Sequence, residues 1–177
     1  MLLVSFAWGL CVSWTQFQAN LVFIVDAGVF DYLGAGPLHG HFFRSPLAWD
    51  LEASYLGAHF RPIFLLFTPF YLIHDGMMTY LTIQNLALVM MGLPLGILAR
   101  RVTGNDYAAL AIVFLFQTNH FVGRIHLSNH VEAVALVGMM TMFLAVHLRN
   151  WWLHGLAMLW VLSVKEDFGL WIMFYGI

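Results

Sequence analysis

Ile63-Phe64-Leu65-Leu66-Phe67-Thr68-Pro69-Phe70-Tyr71-Leu72-Ile73 is apolar but only eleven residues long, and Pro69 interrupts it. As a helix it covers about 17 Å, little more than half of a hydrocarbon core about 30 Å thick. Its shortness predicts an interfacial or re-entrant helix rather than a crossing. That choice sets the side of the membrane on which every later segment lies.

Composition makes a membrane the relevant solvent. Of 177 residues, 62% are hydrophobic and 9% charged, and the mean hydropathy is +0.82. An ordinary soluble domain does not need so much apolar surface, so the expectation is an all-α integral membrane protein. Sixteen Phe, seven Trp and six Tyr supply aromatic mass for bilayer interfaces and helix packing. The single cysteine, Cys11, excludes an internal disulfide framework. No nucleic-acid partner is expected.

Towards the amino terminus, Met1 to Val25 carries no charge and is long enough to cross. Met1-Leu2-Leu3-Val4 has no basic region and the run outlasts a signal peptide, so the segment is expected to stay as a membrane helix. Asp26 then marks emergence. Residues 26–75 read as a structured external loop with juxtamembrane helices, one of them around Leu47 to Leu56, punctuated by Gly34, Gly36, Pro37 and Gly40.

Towards the carboxyl terminus, Met77 to Ala99 is the clearest span and closes on Arg100-Arg101. Tyr107 to Phe116 starts a return that turns polar through Gln117, Asn119, His120 and Arg124. Ala133 to Val146 and Trp151 to Val164 supply two more crossings, and Phe168 opens another helix. The whole chain, 1–177, reads as one integral membrane domain, a polytopic transmembrane helical bundle. Its end within the apolar run Phe168 to Ile177 suggests the amino-terminal part of a longer protein.

With Ile63–Ile73 held at the surface, Asp26, Asp31, His59, the stretch 124–132 and Lys165-Glu166-Asp167 share one side. Arg100, Arg101 and Arg149 gather in tight turns on the other, which by the positive-inside rule places the charged motifs outside the cell membrane. Many of the apolar runs fall short of twenty residues at their motif ends. A pocket open to that side is the implied geometry.

Three charges near a bilayer centre would cost on the order of 8 to 10 kcal/mol, so Lys165-Glu166-Asp167 belongs at an interface or in an aqueous cavity. The plainer reading is a charged connecting turn. His126 and His130 are four apart and on one helix would share a face, making them candidate ligands for a divalent metal; a polar network is the commoner role of such a pair. No His-Glu-x-x-His pattern occurs, so a zinc-peptidase signature is absent. His59-Phe60-Arg61-Pro62 sets an imidazole and a cation at a helix start, where proline fits the first turn.

Four ordered stretches, Asp26-Ala27-Gly28-Val29-Phe30-Asp31, His59-Phe60-Arg61-Pro62-Ile63, His130-Val131-Glu132 and Lys165-Glu166-Asp167, resemble the prokaryotic predicted membrane proteins grouped as domain of unknown function 2079. The chain departs from that pattern at Tyr32, where Gln is usual, and at Val131, where Pro is usual. These proteins look like members of the GT-C class of membrane glycosyltransferases. The resemblance implies a GT-C-like fold and transfer of a sugar from a polyprenyl-phosphate carrier to an acceptor on the outer face. Asp26 is then the leading catalytic base and Asp31 the second. Arg61 and Lys165 would meet the lipid phosphate, while His59, His130, Glu132, Glu166 and Asp167 complete the substrate site. A divalent metal ion is the one cofactor left open. Two other readings stand beside this one: a metal or small-solute transporter using His126, His130 and the acids, and an inactive truncated remnant.

Overall fold

The computed structural model describes residues 1–22, 24–47 and 54–175, with the side chains of Ile24 and Val25 excepted. Ten α-helices follow one another, and no strand occurs among the described residues. They are α1 (Leu2–Gln18), α2 (Ile24–Ala35), α3 (Phe64–Tyr71), α4 (Met77–Met90), α5 (Gly92–Thr103), α6 (Asp106–Gln117), α7 (His120–Ser128), α8 (Ala135–His147), α9 (Trp151–Val164) and α10 (Phe168–Tyr175).

The first apolar run is not one helix to Val25. α1 stops at Gln18 and Asn20 adopts a left-handed backbone, φ 54°. The polar residues Gln16, Gln18 and Asn20 had already weakened that end of the run, and a polar side chain at positive φ is a recurrent helix stop. Asp26 therefore lies near the start of a second helix rather than marking where the first one emerges. The expected helix around Leu47–Leu56 lies largely outside the described residues; its end, Tyr55–Gly57, is a 3-10 turn.

α2 has a buried face of Ala27, Phe30 and Leu33. It packs on α3 and α4 through an aromatic cluster: Phe30 stacks on Phe64 at 5.5 Å and meets Tyr80 at 5.4 Å, and Phe64 meets Phe67 edge-on at 5.5 Å. Aromatic pairs in these arrangements contribute roughly 0.5–1.5 kcal/mol beyond the area they bury. α3 spans eight residues and buries Phe64, Phe67 and Tyr71, in keeping with a short apolar segment held against the bundle.

α4 runs into α5 with little deviation, so Met77–Thr103 makes a 27-residue stretch long and apolar enough to cross a bilayer. α6 and α7 meet the same criterion only if taken together, bent by 47°. By length and composition the described residues thus hold one candidate span, or two. α8 and α9 are apolar but only 13 and 14 residues long. They pair closely because Gly138 leaves no side chain there: a Cβ would stand 2.6 Å from Trp160 Cδ1 and 2.8 Å from Val161 Cγ2.

Candidate functional site

The chain brings three of the charged motifs to one place. Ile63 N–H donates to the Ser163 carbonyl at 2.9 Å, tying the segment before α3 to the end of α9. Lys165, just past α9, is thereby set beside Arg61. Between them stands Glu132, carried on the 3-10 turn Val131–Val134 that leads into α8. Arg61 Nη2 donates to Glu132 Oε1 at 3.0 Å, and Lys165 Nζ lies 3.3 Å from the same oxygen. Lys165 also pairs with Asp167 at 3.1 Å. Glu166 reaches back to the opposite flank, accepting the Phe60 N–H at 2.8 Å and contacting His59 Nδ1 at 2.8 Å.

Arg61 is the most enclosed of these groups, at 4% exposure. Its guanidinium lies 5.0 Å from the Phe30 ring centroid, a cation–π contact that helps hold the charge away from water. Among the described residues its Nε and Nη1 find no hydrogen-bond partner, nor does Glu132 Oε2. His130 Nδ1 stands 4.0 Å from that oxygen, beyond hydrogen-bond reach.

Asp26 belongs on this side. It precedes Phe30 by four residues on α2, hence on the same helical face, and Phe30 carries Arg61. The Tyr55 hydroxyl supplies a second bearing. Burial pushes it above its usual value, Arg61 acts against that, and the charges of Glu132, Asp26 and Glu166 push it further. One phenol thus lies within electrostatic range of all four.

Asp31 lies elsewhere. Five residues from Asp26, it is turned by about 140° around the helix. It lines a cavity of about 730 Å³ with His39, His41, Arg44 and Asp75, in which His39 and Asp75 pair at 3.2 Å. Burial pushes its carboxyl from 3.8 up to about 6; Tyr71 and His74 act to lower it and Asp75 to raise it. Tyr71 is seated against α2 because Gly34 has no Cβ, which would stand 2.4 Å from the ring. Its hydroxyl faces the Asp31 carboxyl, yet neither that hydroxyl nor Asp31 Oδ1 closes a regular hydrogen bond among the described residues. The two acids expected in one pocket therefore occupy opposite flanks of α2.

His126 and His130 are separated too. α7 ends at Ser128 and Asn129 turns left-handed, φ 51°, so no continuous helix presents both rings. His126 is buried, its Nδ1 against Asn85 Oδ1 and its ring edge-on to Trp8 at 5.6 Å, whereas His130 is exposed beside Glu132. Among the described residues no group of three or more His, Cys, Asp or Glu side chains is placed to hold a metal ion.

Phe30 and Tyr55 complete the cluster: Phe30 lies within the stretch Asp26–Asp31 at helical spacing from Asp26, whereas nothing in the sequence singled out Tyr55 as a site residue. The family model described as Predicted membrane protein (DUF2079) matches residues 25–177. The chain belongs to this family. Its match takes in Asp26, the aromatic cluster and every member of the charged network. No curated protein and no solved structure matches the chain.

Proposed function

We propose that this member of the DUF2079 family is a multi-pass, GT-C-like protein of the cell membrane that transfers a sugar from a polyprenyl-phosphate carrier to an acceptor hydroxyl at the outer face. Met77–Thr103 and the bent α6–α7 pair are its first crossings, with α8 and α9 completed by neighbouring elements. The observation that carries this reading is the convergence of Arg61, Glu132 and Lys165, from three distant parts of the chain, on the face of α2 that bears Asp26.

In this reading the Asp26 carboxylate takes the proton of the acceptor hydroxyl as its oxygen bonds to the anomeric carbon. The bond from that carbon to the phosphate oxygen breaks, and the electron pair leaves with the polyprenyl phosphate. Lys165 and the free edge of Arg61 stabilise the departing charge. Glu132 positions both cations; His59, Glu166 and Asp167 shape the mouth, and His130 is placed to meet a sugar hydroxyl. Asp31 belongs to the second cavity and is not the base.

Full-length protein in liposomes carrying a labelled polyprenyl-phosphate sugar tests this directly. Asp26→Asn is expected to lower transfer by about 10²–10⁴-fold, the usual worth of a general base, while Asp31→Asn stays near wild type. Wild-type transfer by Asp26→Asn, or no transfer by the unaltered protein with any such donor, overturns the reading.

A further inference from the structure

The cavity that Asp31 lines takes no part in the proposed reaction, yet its walls are firmly built. It lies between α2 and the segment that follows, residues 36–46, with Asp75 closing one side. His41 N–H donates to the Gly36 carbonyl at 2.8 Å and Gly40 turns left-handed at φ 76°, so the chain reverses sharply after α2. Gly36 permits that turn, because a Cβ there would stand 2.5 Å from the His41 carbonyl oxygen. The His39–Asp75 pair at 3.2 Å then ties the turn to the residues before α4. Asp75 stands just ahead of Met77, so the cavity lies at the end of the Met77–Thr103 stretch and not along its length.

The charges of this lining are not all answered from within. His39 and Asp75 satisfy each other, whereas Asp31 and Arg44 line the same cavity without forming an ion pair. The charges that reach the Asp31 carboxyl are those of Asp75 and His74, and Arg44 is not among them. Opposite charges are thus held apart around one open space. Asp31 Oδ1 is enclosed on the Tyr71 side, which leaves the other edge of the carboxyl to the cavity. Arg44 is exposed, with His41 as a further donor in the same lining. Tyr32, Ala35 and Pro46 add a short apolar wall, enough for a side chain but not for an acyl chain. An occupant that answers this lining is extended, with a hydrogen-bearing cation at one end, an anion at the other and a modest apolar body.

We infer that this cavity binds a short peptide as a zwitterion, its amino terminus on the Asp31 carboxylate and its carboxyl terminus on Arg44. Both contacts are charge-assisted, and a guanidinium matches a carboxylate in shape as well as in sign. At about 730 Å³ the cavity is of the size that encloses a drug-sized molecule, as a di- or tripeptide is. A single amino acid, with both charges on one carbon, bridges the separated Asp31 and Arg44 less well than a peptide, whose termini stand at least one peptide unit apart. The inference stands apart from sugar transfer, so each can fail without the other.

Calorimetric titration of the full-length protein in detergent with alanyl-phenylalanine, well above pH 6 so that Asp31 is ionised, reads the binding. The N-acetylated peptide and the peptide amide each lack one terminal charge and are expected to bind about tenfold more weakly, the worth of a charged hydrogen bond. In Asp31→Asn the penalty for acetylation should vanish while that for amidation persists, and in Arg44→Gln the reverse. The penalty that persists in each variant shows that the site is still folded. Arg101→Gln removes an exposed cation about 36 Å along the helix from Met77 and should leave both penalties in place. An unaltered protein that binds no peptide, or binds the three forms equally, overturns the assignment, as do variants that keep both penalties. Tighter binding of short-chain phosphatidylethanolamine than of the peptide gives the cavity to a lipid headgroup and overturns it too.

Discussion

Arg61 and Glu132, 71 residues apart, meet at 3.0 Å with the guanidinium almost fully enclosed and the carboxylate partly so. Removing one partner of such a pair leaves the other charge buried without compensation, which costs far more than the pair contributes net. Arg61→Ala is therefore expected to destabilise the protein by about 3 kcal/mol. Arg61→Met combined with Glu132→Leu should recover much of that loss, because an apolar pair of similar volume fits beside Phe30 and Lys165 keeps Asp167. Thermal unfolding of the detergent-solubilised single and double variants closes the cycle; additive losses would show that the contact is not coupled.

Asp31 sets a pH dependence opposite in sign to that of Glu166. A carboxyl pushed up to about 6 binds its proton more tightly in the folded state, so its contribution is fully present below its ordinary 3.8 and is lost as pH rises through 6. Glu166 runs the other way. Burial pushes it up, but His59, its own backbone and the Phe60 N–H hold it below 4.5, so its contribution is present above 4.5 and lost on acidification. The sum of the two contributions is greatest between 3.8 and 4.5 and falls from there to about 6. Asp31→Asn should remove the decline between 3.8 and about 6 and raise stability above it by roughly 1 kcal/mol, well under the full linkage value because the carboxyl is partly wetted. Unfolding midpoints measured from pH 4 to pH 8 for both proteins test the sign as well as the size.

Much of this arrangement was legible in the residues. The short segment Ile63–Ile73, the long span from Met77 and the helices after Ala133 follow from runs of apolar residues and their lengths, which local hydropathy records directly. The meeting of Arg61, Glu132 and Lys165 was legible only as a shared side, since sidedness fixes a face of the membrane and not a contact. The separation of Asp26 from Asp31 was hidden by treating their stretch as a loop. Once Ile24–Ala35 is helical, a spacing of five residues sends them to opposite flanks. The same local ambiguity misled the pairing of His126 with His130, because an asparagine that turns left-handed gives little warning in an apolar context.

Gly138 decides how closely α8 and α9 approach. Its missing Cβ would meet Trp160 Cδ1 at 2.6 Å, Val161 Cγ2 at 2.8 Å and the Ala157 carbonyl at 3.2 Å. The indole cannot simply swing away, since its Nε1 donates to the Val134 carbonyl at 2.9 Å, one turn before the glycine. Gly138→Ala is expected to cost about 1–3 kcal/mol, the usual penalty of overpacking, despite alanine's better helix propensity. Gly155→Ala in α9, where nothing lies within 4 Å of the added carbon, should be neutral or stabilising. Parallel unfolding curves for the two variants separate packing from propensity.

Asn85 is the hub of a buried polar chain that joins α1, α4 and α7. Its Nδ2 donates to Ser13 Oγ at 2.7 Å and to the Leu81 carbonyl at 2.8 Å, and its Oδ1 faces His126 Nδ1. This pairing requires the His126 proton on Nδ1, which turns Nε2 away from Asn85. Asn85→Leu removes the acceptor but leaves a buried imidazole N–H and the Ser13 hydroxyl without partners, so it should cost about 1–3 kcal/mol even though the new side chain is more apolar. Asn85→Asp keeps the acceptor and removes the donor, and it adds a charge to a fully buried position, so its loss should be larger still. Ser13→Ala in the Asn85→Leu background should then restore part of the stability by deleting one orphaned hydroxyl. Unfolding midpoints of the two single variants and the double variant test that order, and a double variant no more stable than Asn85→Leu would show that Ser13 finds another partner.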